Sequence, residues 1–415
     1  MKRAIVFITV LLALSVVGVV FWTAMRVRAS SAPAGGALRN NWSVAAAASY
    51  LDNREVWWQS WPVSQRREGT VCISCHTVLP YAFVRPALRK QLGQTELTAT
   101  EKKMLDSIQK RVTDWKEIGS YYNDDAHDAP SHATESILNA VILAEYDSES
   151  NDLSPLTEKA FDEAWALQLT AGQNAGGWDW QDFHEAPWES SESGYQGSAM
   201  IAIALGHTPV PYNSEPDVQD HIQHLREYLR RQYAAQPVMN QLYVMWASAH
   251  LPGLLTDAQR IDLIRRVASL QNKDGGWSLS ALDKQASLKH LGFDLFKRID
   301  RVDGSDGCAT GLVVMALEED GIALENPVLQ RGLTWLEKHQ YQDGSWWASS
   351  MNGFRNPASD MGRFMSDAAT GYATLALEQS LSTRSVRLSS SASQSADALP
   401  VPHRSVKPAL AGTAR

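Results

Sequence analysis

Apolar residues recur at three- and four-residue steps through most of the chain, which is the spacing of a helix that buries one face. The clearest example precedes residue 271, where Thr256 and Gln259 also have the spacing of a capping box. Its apolar positions are Ala258, Ile261, Ile264, Val267 and Ala268. The pattern predicts an amphipathic helix that ends just before residue 271.

Helical segments of two kinds alternate along the chain. The charged, capped kind occupies residues 43–58 and begins again near Thr98 (with Glu101 completing a capping box), Thr157, Ser214, Thr256 and Asn326. Segments rich in small apolar residues follow them at residues 133–144, 197–205, 242–249, 309–317 and 369–377. Because these are apolar on most faces, we expect them inside, with the charged helices outside. No convincing strand pattern is present, so the fold class predicted is all-α.

A glycine- and tryptophan-containing turn follows three of the charged helices. It occupies residues 271–277 (Gln-Asn-Lys-Asp-Gly-Gly-Trp), 173–178 and 342–346. Glycine allows a sharp turn at low steric cost, and the tryptophan offers a large surface to hold the turn against the preceding helix. Hydroxyl residues also recur near the starts of inner segments, at Thr77, Thr134, Ser198, Thr310 and Thr370. These recurrences indicate an internal repeat of six outer and six inner helices.

The two ends of the chain differ from its body. Residues 1–29 hold Lys2 and Arg3, an uncharged and mostly apolar run, and then Arg26 and Arg28, which is typical of a signal anchor or a signal peptide. The length of the run favours a single-pass anchor in a bacterial inner membrane, with the body in the periplasm. Residues 30–41 are predicted to be a linker, residues 42–379 the folded body, and residues 380–415, which are rich in serine, a disordered tail.

The net charge of −8 and the absence of a basic stripe argue against nucleic acid as a partner. The 15 tryptophans suggest aromatic-lined turns or a cavity, although tryptophan is also a common core residue.

Residues 72–76 read Cys-Ile-Ser-Cys-His, the attachment pattern of a c-type haem. Cys72 and Cys75 would form thioethers to the two vinyl groups, and His76 would bind the iron. Bacterial haem attachment follows export, which agrees with the N-terminal segment. The alternatives are a Cys72–Cys75 disulfide or redox pair, half of a metal site, or an incidental pair of cysteines. A distal iron ligand would come from His132 or His127.

The turns and the starts of the inner segments resemble the repeat of squalene cyclases and protein prenyltransferases. The resemblance is carried by the turns at residues 171–180, 269–277 and 341–347 and by the inner-segment starts at residues 305–311 and 366–371. It is good from about residue 154 to residue 378 and weaker before. It implies an α6/α6 toroid, a double barrel of inner and outer helices.

In those families the inner helices line an apolar cavity that holds an isoprenoid. The resemblance therefore implies an isoprenoid or other lipid ligand here. The residues that could line its cavity are Trp178, Trp180, Phe183, Trp188, Tyr195 and Trp246. For the turn tryptophans Trp178, Trp277 and Trp346, the alternative interpretation is that they only fasten helices together.

Family chemistry is only partly matched. Cyclases use an Asp-x-Asp-Asp acid at the start of an inner helix, and only Asp306 aligns with its carboxylates. Prenyltransferases bind zinc there through Asp-x-Cys and a later histidine; Asp306 and Cys308 match, but Ala369 stands at the histidine position, so a zinc site is not expected. Asp306, Cys308 and Asp367 are the catalytic candidates, and the alternative is that both aspartates cap inner helices.

These observations lead to three hypotheses. The first is an exported, membrane-anchored toroid that binds or converts an isoprenoid or terpenoid, carries a covalent c-type haem and exchanges electrons with a redox partner. The second is a non-catalytic toroid that binds a lipid or a protein and has a Cys72–Cys75 disulfide. The third is a terpenoid cyclase with an atypical acid.

Overall fold

The computed structural model describes residues 35–122, 124–148, 152–283, 304–348, 350–352 and 355–397. Within these residues the fold is all-α, as the sequence predicts: no strand is present, and β pairing is confined to isolated bridges such as Gln65 with Val71. No helix in this part of the chain is long and apolar enough to cross a membrane. The anchor predicted for residues 1–29 lies outside the described residues.

Helices of at least three turns alternate between two kinds along the described chain. The first six are α1 (Val44–Ser60), α2 (Val78–Gln91), α3 (Ala99–Thr113), α4 (Asp128–Asp147), α5 (Pro155–Ala166) and α6 (Ser193–Ala204). The next six are α7 (Pro216–Gln232), α8 (Val238–His250), α9 (Asp257–Leu270), α10 (Gly307–Glu319), α11 (Pro327–Lys338) and α12 (Phe364–Asp397).

Single-turn helices connect several of these elements. They are Trp115–Ile118, Val210–Asn213 and Leu279–Leu282, with 3-10 turns at Pro62–Ser64, Arg67–Gly69, Leu205–His207, Tyr233–Ala235 and Met361–Arg363.

Helix starts follow the local capping signals. Thr98 and Thr256 form the two predicted capping boxes, and Asn326 caps α11 ahead of Pro327. The starts predicted near Thr157 and Ser214 are displaced by two residues. Each of those helices begins instead at a proline, Pro155 or Pro216, because proline is pre-organised for the first helical position.

Burial separates the even-numbered helices from the odd-numbered ones. Every residue of α6 is buried, whereas only Leu263 and Val267 are buried in α9. The even-numbered helices are those with small apolar residues, so the more apolar helices are the more buried ones in the described residues.

The even-numbered helices pack against one another in chain order. α2 contacts α4, α4 contacts α6, and so on to α10 and α12, and α12 then packs back against α2. The odd-numbered helices each pack on an even-numbered neighbour, for example α9 on α8 and α11 on α10. The contacts therefore form a closed series in which the last helix meets the first pair.

The three tryptophan-containing turns share one hydrogen-bond pattern. The indole N–H of Trp277 donates to the carbonyl of Val267 at 2.8 Å, and Trp178 and Trp346 donate in the same way to Ala164 and Leu336, at 2.6 and 2.9 Å. All three rings are at most 2% exposed. Each tryptophan thus fastens its turn to the preceding helix, as the fastening interpretation predicts.

A glutamine amide joins each turn to the next odd-numbered helix. Gln271 Nε2 donates to the carbonyls of Gly275 and Val328, at 2.8 and 2.9 Å. The equivalent residues in the other turns are Gln168 and Gln340. The predicted turn segments begin at Gln173 and Gln342, whereas Gln168 and Gln340 make the contacts beyond the turn.

Helix α12 continues past Ser380 to Asp397, where composition predicts the disordered tail to begin. Extending an existing helix needs no new nucleus, and serine and alanine are tolerated in it. Ser380 is 1% exposed and donates to the carbonyl of Leu377, so order extends at least that far into the predicted tail. Residues 398–415 lie outside the described residues.

Candidate functional site

The Cys-x-x-Cys-His segment lies immediately before α2, and one of its own side chains helps to hold it there. The hydroxyl of Ser74 accepts hydrogen bonds from the backbone N–H groups of Thr77 and Val78, at 3.2 and 3.1 Å. Ser74 therefore satisfies donors at the start of α2 and sets the turn on which Cys75 and His76 stand.

Neighbouring elements hold the same segment from outside. The indole N–H of Trp58 in α1 donates to the carbonyl of Cys72 at 2.7 Å, and the backbone N–H of Ile73 donates to the hydroxyl of Tyr121 at 3.2 Å. Tyr121 in turn lies beneath the guanidinium of Arg111, 4.3 Å from its ring centre. The motif is consequently held on a rigid support rather than on a free loop.

Both cysteines and the histidine of the motif line one cavity of about 180 Å³. The other side chains that line it include Trp58, Trp61, Arg66, Tyr121, Tyr122 and Glu189. We call this the cysteine cavity. The structure thus brings Cys72, Cys75 and His76 together around one space, as the motif predicts.

His76 also lines a second cavity, of about 210 Å³. This cavity shares His76 and Glu189 with the cysteine cavity, and its remaining walls include Phe183, Trp188, Asn352, Arg355, Phe364 and Met365. We call it the aromatic cavity. His76 therefore contacts both spaces.

The ring of His76 is held by packing and by one hydrogen bond. It stacks on Phe364, with the ring centres 3.8 Å apart, and meets Trp58 edge-on at 5.2 Å. Its Nδ1 is 2.9 Å from the hydroxyl of Thr77, which donates to Oδ2 of Asp367 at 2.7 Å. Burial is the main reason that the pKa of His76 is lowered to about 3, so the imidazole is neutral.

Asp367 is buried in the first turn of α12 and accepts hydrogen bonds at both of its carboxylate oxygens. Its Oδ1 accepts from Tyr50 Oη and Arg54 Nε, both at 2.8 Å, and its Oδ2 accepts from Thr77. Burial raises the pKa of Asp367, and the charge of Arg54 opposes that shift. The interpretation of Asp367 as a helix cap is wrong, because the helix begins at Phe364 and the side chain turns to α1 instead.

The cysteine thiols lie in surroundings that disfavour the thiolate. Burial is the largest cause that raises the pKa of Cys72 to about 12 and that of Cys75 well above its usual range. Reactive and redox-active cysteines have lowered pKa values, because the thiolate is the nucleophile. The site therefore does not favour thiol–disulfide exchange chemistry.

Asp306 and Cys308 lie at the start of α10, and neither lines either cavity. Asp306 caps the helix as predicted: its carboxylate accepts from the backbone N–H groups of Ala309 and Leu279, at 2.8 and 2.7 Å. Burial nevertheless raises its pKa to about 7. Cys308 is 2% exposed. Among the described residues, no group of three or more histidine, cysteine, aspartate or glutamate side chains could hold a metal ion.

Two of the six predicted cavity residues, Phe183 and Trp188, line the aromatic cavity. The others are engaged elsewhere. Trp178 fastens its turn, the Tyr195 hydroxyl donates to the carbonyl of Leu229, and Trp180 donates to the carbonyl of Trp188. Trp246 packs against Phe83, with ring centres 5.5 Å apart.

Neither predicted distal histidine lines the two cavities. The ring of His132 packs edge-on against Trp115 at 5.6 Å, and its buried Nε2 has no hydrogen-bond partner. His127 stacks on Phe183 at 5.0 Å and pairs with Asp124. His127 thus contacts Phe183, which lines the aromatic cavity, but does not line that cavity itself.

Glu189 is a site residue that the sequence analysis missed. Its half-buried side chain lines both cavities, and burial, with a further contribution from Glu185, raises its pKa to about 7. The signal that could have found it is its position directly after Trp188, a predicted cavity residue.

No family model matches this chain, and no curated protein is significantly similar to it.

Proposed function

We propose that this protein is an α6/α6 toroid that carries a covalent c-type haem beside His76 and serves in electron transfer. The observation that supports this most directly is that Cys72, Cys75 and His76 face one cavity. His76 also uses Nδ1 for its hydrogen bond to Thr77, which leaves Nε2 for a metal.

The toroid part of the proposal rests on the helix contacts. An α6/α6 toroid needs an inner barrel of six helices that closes on itself, and α12 packs back against α2 in the described residues. It also needs a repeated link between successive outer helices, which the glutamine of each turn supplies. The last of these links, from Gln340 to Ser43, joins the final turn to the first outer helix at 3.1 Å.

Each side chain of the motif has a defined task in this proposal. Cys72 and Cys75 would hold the haem through two thioethers, and His76 would be the protein ligand of its iron. When bound, the haem supplies one-electron chemistry.

The size and lining of the site also agree with a haem. The cysteine cavity alone, at about 180 Å³, is smaller than the usual ~300–1,000 Å³ of a cofactor site, but it and the aromatic cavity together reach that range. The two cavities share His76 and Glu189 in their linings. Arg66, which lines the cysteine cavity, has a buried Nε without a partner, which suits a carboxylate of the ligand.

The proposal includes export, because bacterial c-type haem is attached outside the cytoplasm. The body would lie in the periplasm, held to the inner membrane by residues 1–29, and an electron-transfer protein would be its partner. The isoprenoid ligand implied by the family resemblance stays a prediction. A binding assay with squalene on the haem-loaded protein would test it separately.

The haem itself is tested by the reduced pyridine haemochrome spectrum of the purified full chain, expressed with its leader in a host that matures c-type cytochromes. We expect a c-type band in the parent, its loss in Cys72→Ala/Cys75→Ala, and its retention in Cys308→Ala. The last variant is the matched control, because Cys308 is buried like Cys75 but lies outside the motif.

Two results would contradict the proposal. One is a parent protein that is exported and soluble but carries no haem in a competent host. The other is equal haem content in the parent and the double variant. Either result would favour the second hypothesis, a binding toroid whose cysteines remain thiols or form a disulfide, and mass spectrometry after alkylation would distinguish those two states.

A further inference from the structure

We infer that Asp367 and Thr77 form a relay that positions His76 and fixes which of its ring nitrogens faces a metal. Thr77 and Asp367 are positioning residues in this proposal, since neither touches the ligand. The tautomer that the relay sets can be tested without haem, whereas its effect on a bound haem rests on the proposed function.

The relay is continuous and buried. Thr77 Oγ1 lies 2.7 Å from Asp367 Oδ2 and 2.9 Å from His76 Nδ1. Thr77 is 1% exposed and Asp367 is 0% exposed, so water does not compete for these bonds. Arg54 and Tyr50 hold the other carboxylate oxygen, which fixes the carboxylate plane.

The direction of the hydrogen bonds follows from donor counting. A hydroxyl has one proton, and the buried Asp367 carboxylate, paired with Arg54, can only accept it. The Thr77 oxygen must therefore accept from His76, which requires a proton on Nδ1. Nε2 is then the ring nitrogen left to bind a metal.

This arrangement has an electronic consequence for a bound metal. A carboxylate that acts through a hydroxyl draws the Nδ1 proton away from the ring and makes the imidazole a stronger donor at Nε2. A stronger donor stabilises the oxidised iron more than the reduced iron. The relay should thus lower the reduction potential of the haem.

The relay also connects the site to the closure of the fold. Asp367 belongs to α12, Tyr50 and Arg54 belong to α1, and Thr77 is the residue directly before α2. These three helices meet where the last helix packs back on the first pair. The orientation of the histidine therefore depends on contacts between the two ends of the helix series.

The first experiment uses apo protein with the Cys72→Ala/Cys75→Ala background and ¹⁵N-labelled histidine. His76 signals are assigned by their loss in His76→Gln. We expect the Nδ1–H tautomer in the parent and in Thr77→Ser, which keeps the hydroxyl, and a loss of that preference in Thr77→Val, which has a similar shape without it. An Nε2–H tautomer in the parent, or the same tautomer in all three, would overturn the relay.

The second experiment measures the midpoint potential of the haem-loaded protein. Thr77→Val should raise the potential by an amount on the order of 59 mV, equivalent to a tenfold rise in the ratio of reduced to oxidised haem at fixed potential. Thr77→Ser should restore the parent value. Equal potentials in loaded parent and Thr77→Val would overturn the relay while leaving the haem proposal intact, whereas absence of haem in the parent would contradict only the latter.

Asp367→Asn is a weaker test on its own, because it removes the buried charge that faces Arg54, leaves that guanidinium with only the exposed Asp360, and can prevent folding. It serves as a second variant: where it folds, it should raise the potential in the same direction as Thr77→Val, and a lowered potential would count against the relay.

Discussion

At the scale of single residues, Glu55 shows what burial does to a carboxyl in this fold. It is 1% exposed, accepts one hydrogen bond from Gln59 at 2.9 Å, and has no partner at Oε2. Burial is the largest cause that raises its pKa to about 7. The folded state therefore holds a proton on Glu55 in a pH range where the unfolded chain has already lost it.

Glu55→Gln should reduce the pH dependence of stability. Because the folded pKa of about 7 lies above the unfolded value of about 4.3, the contribution of Glu55 is fully present below the unfolded pKa and is lost as the pH rises through the folded one. Relative to the parent, the variant should gain roughly 1–3 kcal/mol between about pH 5 and about pH 8. Urea titrations at the two pH values measure this difference. A constant difference would show that Glu55 does not hold the proton.

Residues that carry local chemistry could be predicted from the sequence, and residues that meet through the fold could not. Cys72, Cys75 and His76 stand within one short motif, so their convergence follows from the chain itself. Asp367 contacts Thr77 although the two residues are 290 positions apart in the sequence, and no motif near Asp367 indicates that contact. Its similarity to Asp306, which does cap a helix, pointed to the wrong role.

At the scale of elements, one glycine of each tryptophan-containing turn lies against the backbone of another odd-numbered helix. Gly344 has φ +94°, and a β-carbon there would come within 2.0 Å of the carbonyl oxygen of Ala46 in α1. Gly176 and Gly275 have the same relation to His224 in α7 and Arg331 in α11. The backbone of the turn thus approaches the backbone of the helix more closely than a residue with a β-carbon would allow.

Gly344→Ala should destabilise the protein much more than Gly321→Ala. Both glycines have positive φ, at +94° and +77°, so both substitutions carry a conformational cost of roughly 1–2 kcal/mol. A β-carbon at Gly321 meets nothing within 4 Å, whereas at Gly344 it forces α1 away from the turn. We expect an additional cost of about 2 kcal/mol or more at Gly344. Thermal unfolding followed by circular dichroism compares them; equal losses would mean that the turn can move outward freely.

Element boundaries were predictable where capping decides them. The capping boxes at Thr98 and Thr256 each form within four residues of sequence, and both occur at the predicted positions. The register of the turn glutamines was not predictable in this way. The chain has two glutamines near the first tryptophan-containing turn, Gln168 and Gln173. Gln168 is the one that donates to the carbonyl of His221 in α7.

At the scale of the whole molecule, α12 completes the series of packed helices. It contacts α10 on one side and α2 on the other, and it brings the carboxylate that pairs with Arg54 of α1. Its buried side chains include Met365, Ala369, Tyr372, Ala376 and Leu377. Beyond Ser380 the described contacts are sparse and exposed, such as the ion pair of Arg387 with Glu325, whose side chains are 51% and 70% exposed.

Two truncations separate the closing part of α12 from its extension. A chain that ends after Thr383 keeps the buried side chains of α12 from Met365 to Ser380 and loses the exposed ion pair of Arg387 with Glu325. Surface ion pairs contribute at most about 1 kcal/mol, so its melting temperature should stay within about 4 °C of the parent value. A chain that ends after Gly362 loses the apolar face that covers α2 and α10 and the buried carboxylate of Asp367, so that Arg54 keeps only the exposed Asp360 as a charged partner. It should show no cooperative unfolding transition and should expose apolar surface to a hydrophobic dye. Cooperative melting of that shorter chain would mean that the remaining helices form a stable open array, and that closure by α12 is not what stabilises the molecule.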